Sequence, residues 1–323
     1  MKKFLIKASY IVIPFSVVFL LIDTWLRTSN SLYKEKFDGA GRQHDSIEVL
    51  ILGNSHANYG VDPSQFSSYA YNLANVNQSI YFDKRLTLKI LPELPKLKYV
   101  LISIDYHSLY FSSQGVRDSW SYYGNGIKYK NNSYLFAELS PFLFGYTPDI
   151  SLIMLKRRIS NMIKYRGQKV IDFEVEKGVN IFDSIKKGFI SFEGADESVL
   201  TDNFCKTRVA FFNKIIQSSE EKNEVIADLS DFIETLEKKK ITPILFSAPT
   251  YPLYYSHLDK GLLIQNRKDI DELCRKYKLR YFDFSDGARF GKEDFYNCDH
   301  LNKSGAAKFG RMLNDSLVAW GKY

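Results

Sequence analysis

Apolar and polar positions along the chain follow two distinct patterns. Short continuous apolar runs predict buried strands, and they lie at residues 47–53, 69–74, 98–104, 241–247 and 279–284. Between and after these runs, apolar residues recur at helical spacing at 83–94, 227–240, 262–278 and 303–320. Strands that are apolar throughout and alternate with helices are typical of a parallel sheet covered on both faces. The pattern therefore predicts an α/β fold.

The alternation is lost between Tyr106 and Asn223. A structureless loop of that length is uncommon inside a compact domain. We therefore interpret the segment from about 108 to 222 as a large insertion after the third strand.

The first apolar stretch of the chain has a different character. Residues 8–22 carry no charge, and the wider segment 4–26 reaches the length of about 20 residues that a spanning helix needs. Lysines precede it, which predicts a cytoplasmic N-terminus and an extracytoplasmic main domain. A cleaved signal peptide and a buried core helix are the alternatives, although the residues after the segment contain no A-x-A cleavage pattern.

These boundaries divide the chain into three parts. Residues 1–27 are the predicted transmembrane anchor, residues 28–46 are polar and form a predicted stalk, and residues 47–323 form the main domain. The sequence therefore predicts a single-pass membrane protein.

Composition narrows the range of functions. The chain has 323 residues, of which 45% are apolar and 25% charged, as in globular proteins. The first 36 residues contribute +4 of the net charge of +7, so the remainder carries only +3. A small excess without a basic stripe argues against a nucleic-acid partner. Three cysteines and five histidines show no zinc-binding spacing, so we predict no metal and no cofactor.

Candidate chemistry lies at the ends of the predicted strands, where open parallel sheets bind ligands. The first strand ends in Gly53-Asn54-Ser55-His56, which offers Ser55 as a nucleophile at the start of a helix. The segment before the last helix, DFYNCDHLNKSGAAKF, contains His300, a candidate general base. Taken singly, each segment is also compatible with an ordinary turn or helix cap.

Together, the strand-GNSH and DHLNKSGA segments resemble the SGNH/GDSL hydrolase family. The resemblance covers residues 47–105 and 225–320. It implies a flavodoxin-like three-layer α/β/α sandwich in which Ser55 attacks an acyl carbonyl and His300 is its base. The stretch NLANVNQSIYFD and the final block are most similar to a membrane-anchored bacterial branch linked to O-acylation of envelope polysaccharides.

The same resemblance implies an oxyanion hole. Its donors would be the backbone N–H of Ser55, the N–H of Asn77 at a position where the family has glycine, and His107 where the family has asparagine. A rival dyad, in which His107 rather than His300 serves Ser55, stays open.

The third member of the triad departs from the family pattern. The family has Asp-x-x-His, and here Asn297 stands three residues before His300. Asp299 is the predicted acid, with Asn297, a backbone carbonyl or a simple Ser–His dyad as alternatives. We further predict substrate contacts from Asn54, Asn72 and Tyr251.

The function predicted from these features is serine-dependent acyl-ester chemistry, by transfer or hydrolysis, on an envelope or exported polysaccharide. The expected partners are a glycan or acyl ester and the membrane. One alternative is a catalytically inactive scaffold for a membrane-bound acyltransferase, supported by Asn297 and His107. The other is an extracellular lipase or carboxylesterase.

Overall fold

A computed structural model describes residues 1–27, 31–112, 122, 127, 148–166, 185–321 and 323. The chain forms two compact units. One comprises Met1–Lys34 with Gly115–Glu174, and the other comprises Glu35–Gln114 with Val175–Tyr323. Each unit is described by itself.

The second unit is built on a five-stranded sheet. Its strands are β1 (Val49–Leu52), β2 (Ala70–Asn72), β3 (Tyr99–Ser103), β4 (Thr242–Ser247) and β5 (Arg280–Asp283). They are all parallel and lie in the order β2-β1-β3-β4-β5. This is the flavodoxin-like order, in which the direction of winding reverses at β1 and β3. The predicted fold class is confirmed.

Helices connect and cover the strands. In chain order, those of the described residues are α1 (Lys2–Arg27), α2 (Leu32–Arg42), α3 (Ser55–Gly60), α4 (Ile80–Ile90), α5 (Pro148–Tyr165), α6 (Asp202–Ser218), α7 (Lys222–Lys238), α8 (Pro252–His257), α9 (Lys260–Tyr277) and α10 (Lys303–Ala319). The four predicted helices correspond to α4, α7, α9 and α10. The short helices α3 and α8 carry too few residues to show a helical period in the sequence.

The core lies on both faces of the sheet. On one face, Ile51, Leu101 and Phe246 pack in a cluster with Phe309 and Leu313 of α10. The intervening strand residues point to the other face and are fully buried there, where α7 packs against both β4 and α4. This arrangement explains why β1 and the middle of β3 and β4 are apolar at successive positions rather than alternating.

The predicted insertion after β3 is present, and its described residues fall in both units. Residues 113–121, 123–126, 128–147 and 167–184 lie outside the described part of the chain. Helix α5 belongs to the first unit, whereas residues 185–218, including α6, belong to the second. The insertion therefore contributes α6 to the unit that carries the sheet.

Helix α1 is long and apolar enough to cross a membrane, and none of its apolar window is buried within the structure. This is consistent with a signal anchor or a signal peptide. Its orientation stays a prediction.

The segment predicted as a stalk contains a helix, α2. Lys36 and Ala40 are buried. Lys36 Nζ donates to Asn58 Oδ1 at 2.6 Å and to the carbonyl of Ala74, and its own carbonyl accepts from Tyr71 Oη. Burial lowers the pKa of Lys36 well below its ordinary value. From residue 35 onward, the segment therefore packs against β2 and α3 rather than standing in solvent.

Candidate active site

The turn after β1 exposes Ser55. Gly53 has φ of +132°, and a Cβ there would lie 2.5 Å from Cβ of Ser103, so the position requires glycine. Asn54 follows as the cap of α3, because its Oδ1 accepts from the backbone N–H of His56 at 2.9 Å. Ser55 is thus the first residue of α3, at the carboxyl end of β1.

His300 reaches Ser55 from the opposite end of the sequence. Its Nε2 lies 2.8 Å from Ser55 Oγ. The loop that carries it is closed by the N–H of Tyr296, which donates to the His300 carbonyl, and by Asn302, which caps α10. His107 Nε2 instead lies 3.3 Å from Asn54 Nδ2. The geometry favours His300 over His107 as the partner of Ser55.

Two side chains face the other nitrogen of His300. Asn297 Oδ1 lies 3.1 Å from Nδ1, and Asp299 Oδ1 lies 3.5 Å from it. Asn297 Oδ1 also accepts from the backbone N–H groups of Asp299 and His300. The amide therefore occupies the nearer position, with the carboxylate just behind it.

Burial lowers the pKa of His300 to about 4, although the nearby charge of Asp299 acts in the opposite direction. The imidazole is consequently neutral at pH 7. With Nδ1–H donating toward Asn297 and Asp299, Nε2 presents a lone pair to the Ser55 hydroxyl. This is the tautomer that a general base requires.

Asp299 is fully buried and held by cations. Arg208 Nε donates to its Oδ2 at 2.8 Å, and His56 Nε2 lies 3.8 Å from the same oxygen. Burial would raise the pKa of Asp299, but its neighbours His300, Arg208 and His56 bring it well below its ordinary value. Asp299 is therefore an ionised carboxylate beside the Ser55–His300 pair.

His56 forms a second buried ionic contact behind the site. Its Nδ1 lies 3.3 Å from Asp105 Oδ1, while its Nε2 faces Asp299. Burial alone would lower the pKa of His56, but Asp105 and Asp299 raise it to about 9. Asp105 in turn accepts from Ser103 Oγ and from the N–H of Ala248. His56 is thus an imidazolium enclosed by two carboxylates.

This cluster bears on the possibility of a metal site. Ligand atoms of His56, Asp299 and His300 lie within 4.8 Å of one another. Each of them already has a partner within the protein: His56 lies between Asp105 and Asp299, Arg208 contacts Asp299, and His300 contacts Ser55. A metal ion bound here would have to displace these contacts.

His107 stacks on Phe212 of α6, with ring centroids 4.2 Å apart. Since Asn54 Oδ1 is occupied by the helix cap, its Nδ2 must donate to His107 Nε2. Burial and the charge of His56 lower the pKa of His107 to about 3, so the ring is neutral. Because Nε2 accepts in this contact, the neutral ring carries its proton on Nδ1, which is buried. The oxyanion role of His107 stays a prediction.

The loop after β2 contains Asn77, the other predicted oxyanion donor. Asn77 is exposed and has φ of +55°, a conformation that glycine adopts readily and asparagine tolerates. The N–H of Asn75 donates to the Gly53 carbonyl at 3.0 Å, which fixes the loop against the nucleophile turn. Position 77 thus has the left-handed backbone that glycine adopts readily, and the oxyanion role of its N–H stays a prediction.

Two of the predicted substrate contacts occupy structural positions. Asn72 is fully buried, donates to the carbonyls of Ala57 and Val61, and accepts from the N–H of Ala74. Its hydrogen-bonding capacity is used within the fold, which leaves no atom for a substrate. The ring of Tyr251 packs against Phe295, 5.4 Å away between centroids. The third predicted contact, Asn54, caps α3.

Helix α6 of the insertion supplies residues that the sequence analysis does not identify. Cys205 forms a disulfide with Cys298, while Cys274 is free. Arg208 and Phe212 follow at helical spacing and contact Asp299 and His107. The 3-4 spacing of Cys205, Arg208 and Phe212 is the one signal in the sequence that places them on a common face. The disulfide fastens that face to the loop of His300.

No protein-family model and no curated protein matches the sequence. Among solved structures, the chain is similar to the crystal structure of a lipase/acylhydrolase from Enterococcus faecalis, at 11% sequence identity and a TM-score of 0.36. The match covers 85% of this chain and 97% of the other.

Proposed function

We propose that the chain is a serine-dependent enzyme of acyl-ester chemistry. The observation that carries this proposal is the 2.8 Å contact between Ser55 Oγ and Nε2 of a neutral His300. A hydroxyl at a strand end that shares its proton with a positioned imidazole is the arrangement of an activated nucleophile.

In the proposed reaction, Ser55 Oγ bonds to the acyl carbon and passes its proton to His300 Nε2. The carbonyl π electrons move to the oxygen, which the N–H groups of Ser55 and Asn77 would stabilise. Collapse of this intermediate breaks the ester bond, and His300 returns the proton to the leaving alkoxide. Water or a second hydroxyl then repeats the sequence in reverse on the acyl-serine.

We assign different roles to the two groups at His300 Nδ1. Asn297, at 3.1 Å, fixes the tautomer and the ring orientation. Asp299, at 3.5 Å, supplies the negative charge that stabilises the imidazolium when it forms. Because Arg208 and His56 also bind Asp299, only part of its charge is available to His300.

The proposed substrate is an acyl ester of an envelope or exported polysaccharide. Support comes from the apolar N-terminal helix, which is long enough to span a membrane, and from the disulfide, which is typical of proteins outside the cytoplasm. An enzyme anchored beside a membrane acyl donor suits transfer to a sugar hydroxyl as well as hydrolysis.

The test is hydrolysis of p-nitrophenyl acetate by the full chain in detergent, together with labelling by a fluorophosphonate probe. We expect Ser55→Ala to abolish labelling and turnover, and His300→Ala to reduce turnover by about 10³-fold or more. His44→Ala, at an exposed histidine of the same unit, is the matched control. Equal background rates in all variants with no labelling of Ser55 would support the inactive scaffold instead.

A further inference from the structure

Helix α5 carries an apolar stripe that is exposed. Leu152, Ile159 and Ile163 are separated by seven and four residues and share one side of the helix, with Met162 beside them. Their exposed fractions are 55%, 45%, 71% and 58% in the order Leu152, Ile159, Ile163, Met162. Aliphatic side chains gathered on one side of a helix indicate a surface that another apolar medium covers.

Arg158, one turn before Met162, fastens α5 to the end of the apolar N-terminal helix within the same unit. Arg158 Nη1 donates to the carbonyl of Leu26 at 3.4 Å, and its guanidinium lies 4.6 Å from the ring centroid of Trp25. Trp25 occupies the end of α1, where tryptophan typically marks the boundary between bilayer and water. These contacts hold α5 at the level of that boundary.

The charged side chains described on α5 are basic. Lys156, Arg157 and Lys164 are exposed, with Lys156 on the same side as the stripe and Arg157 and Lys164 away from it. A helix with an exposed apolar stripe, basic residues and a tryptophan neighbour has the composition of helices that lie in the interface of an anionic bilayer, where a lysine on the apolar side can extend to the headgroups.

We propose that α5 lies in the surface of the membrane, with the stripe of Leu152, Ile159, Met162 and Ile163 in the boundary between headgroups and acyl chains. The occupant of the stripe is lipid, because α5 is tied to the end of a helix whose own apolar surface is exposed for a spanning length. The basic residues face lipid phosphates. Together, α1 and α5 form a two-point attachment that limits tilting of the first unit.

Spin labelling of the full chain tests this arrangement. Cys274→Ser removes the free thiol, and labelling without reductant preserves the Cys205–Cys298 disulfide. Single cysteines are introduced as Ile159→Cys, Ile163→Cys and, as the matched control on the same helix, Arg157→Cys. The variants are reconstituted in nanodiscs of phosphatidylcholine and phosphatidylglycerol, and power saturation compares collisions with oxygen and with a water-soluble nickel chelate.

We expect the ratio of oxygen to nickel accessibility to be several-fold higher at positions 159 and 163 than at position 157. Equal nickel accessibility at all three positions would place the stripe in water and overturn the proposal. Protection of 159 and 163 from both reagents would show that protein covers the stripe and would overturn it as well. The intact mass of the chain purified from membranes is a further check. A mass showing that α1 has been cleaved off would also overturn the proposal. None of these readouts depends on esterase activity.

Discussion

Two histidines in the candidate site are equally buried, but one is neutral and the other is positively charged. The rings of His300 and His56 lie 5.4 Å apart, and both are enclosed by protein. Yet the pKa of His300 is lowered to about 4 by burial, whereas Asp105 and Asp299 raise that of His56 to about 9 against the same burial. Desolvation disfavours the protonated form of both rings to a similar extent. The neighbouring charges then decide which ring is protonated at pH 7.

The contacts explain this difference. His56 faces a carboxylate with each nitrogen, at 3.3 and 3.8 Å. His300 faces an amide oxygen at 3.1 Å, a carboxylate at 3.5 Å and a serine hydroxyl at 2.8 Å. His56, which has a carboxylate at each nitrogen, is therefore a permanent cation. His300, whose nearest neighbour at Nδ1 is a neutral amide, stays a base that can take up a proton.

Among changes to the neighbours of the two histidines, the largest effect is expected from Asp299→Asn, which removes the carboxylate that both rings face. We expect kcat/KM for ester hydrolysis to fall by about 10²- to 10⁴-fold, because the imidazolium of His300 loses its counter-charge. Asp286→Asn, at an exposed site in the same unit, is the control. Unchanged kcat/KM in Asp299→Asn would mean that Asn297 alone supports His300.

The next effect concerns stability. His56→Gln leaves Asp105 and Asp299 buried with less positive charge between them. Breaking a buried ionic contact in this way typically costs about 3–5 kcal/mol. We expect chemical unfolding in detergent to show a loss of that order, with His44→Gln close to the wild type. A loss below about 1 kcal/mol would show that His56 is neutral in the folded chain.

The pH dependence of kcat/KM in the wild type distinguishes His300 from His56, because the two rings titrate at different pH values. We expect kcat/KM to fall on the acid side near pH 4, as His300 is protonated, and on the alkaline side near pH 9, as His56 loses its proton. The pKa of His300 is lower folded than unfolded, so its contribution to stability is full above about 6.5 and is lost as pH falls toward 4. The pKa of His56 is raised, so its contribution is full below about 6.5 and is lost as pH rises through 9. An acid limb near 6.5 would contradict this assignment.

The smallest effect is a shift of that acid limb. Asn297→Asp places a second carboxylate 3.1 Å from His300 Nδ1 and makes its surroundings more like those of His56. An opposite charge at this distance raises a pKa by about 1–3 units. We expect the acid limb of kcat/KM to move upward by that amount in Asn297→Asp, whereas Asn297→Ala should not move it upward. If the acid limb of kcat/KM did not move in either variant, Asn297 would not be in contact with His300.

The sequence predicts the sheet well, because buried parallel strands must be apolar on both faces and their runs are visible. It also points to Ser55, at the end of β1, and to His300, in the loop before α10, because both stand in recognisable segments. It does not indicate that Asn72 is buried or that Lys36 packs into the sheet-bearing unit, since polar residues in the interior leave no periodic signal. Arg208 is likewise hidden, because its contact with Asp299 spans 91 residues and depends on how the insertion folds back.

The Cys205–Cys298 disulfide makes completion of the candidate site depend on the compartment that the chain has reached. Cytosolic thiols are kept reduced, so a newly made chain would hold α6 and the His300 loop together by packing and ionic contacts alone. If the main domain is exported, as proposed, the covalent link forms only on the far side of the membrane. The nascent enzyme would then complete its catalytic loop in the same compartment as its glycan, and cytoplasmic esters would meet a less ordered form of the site.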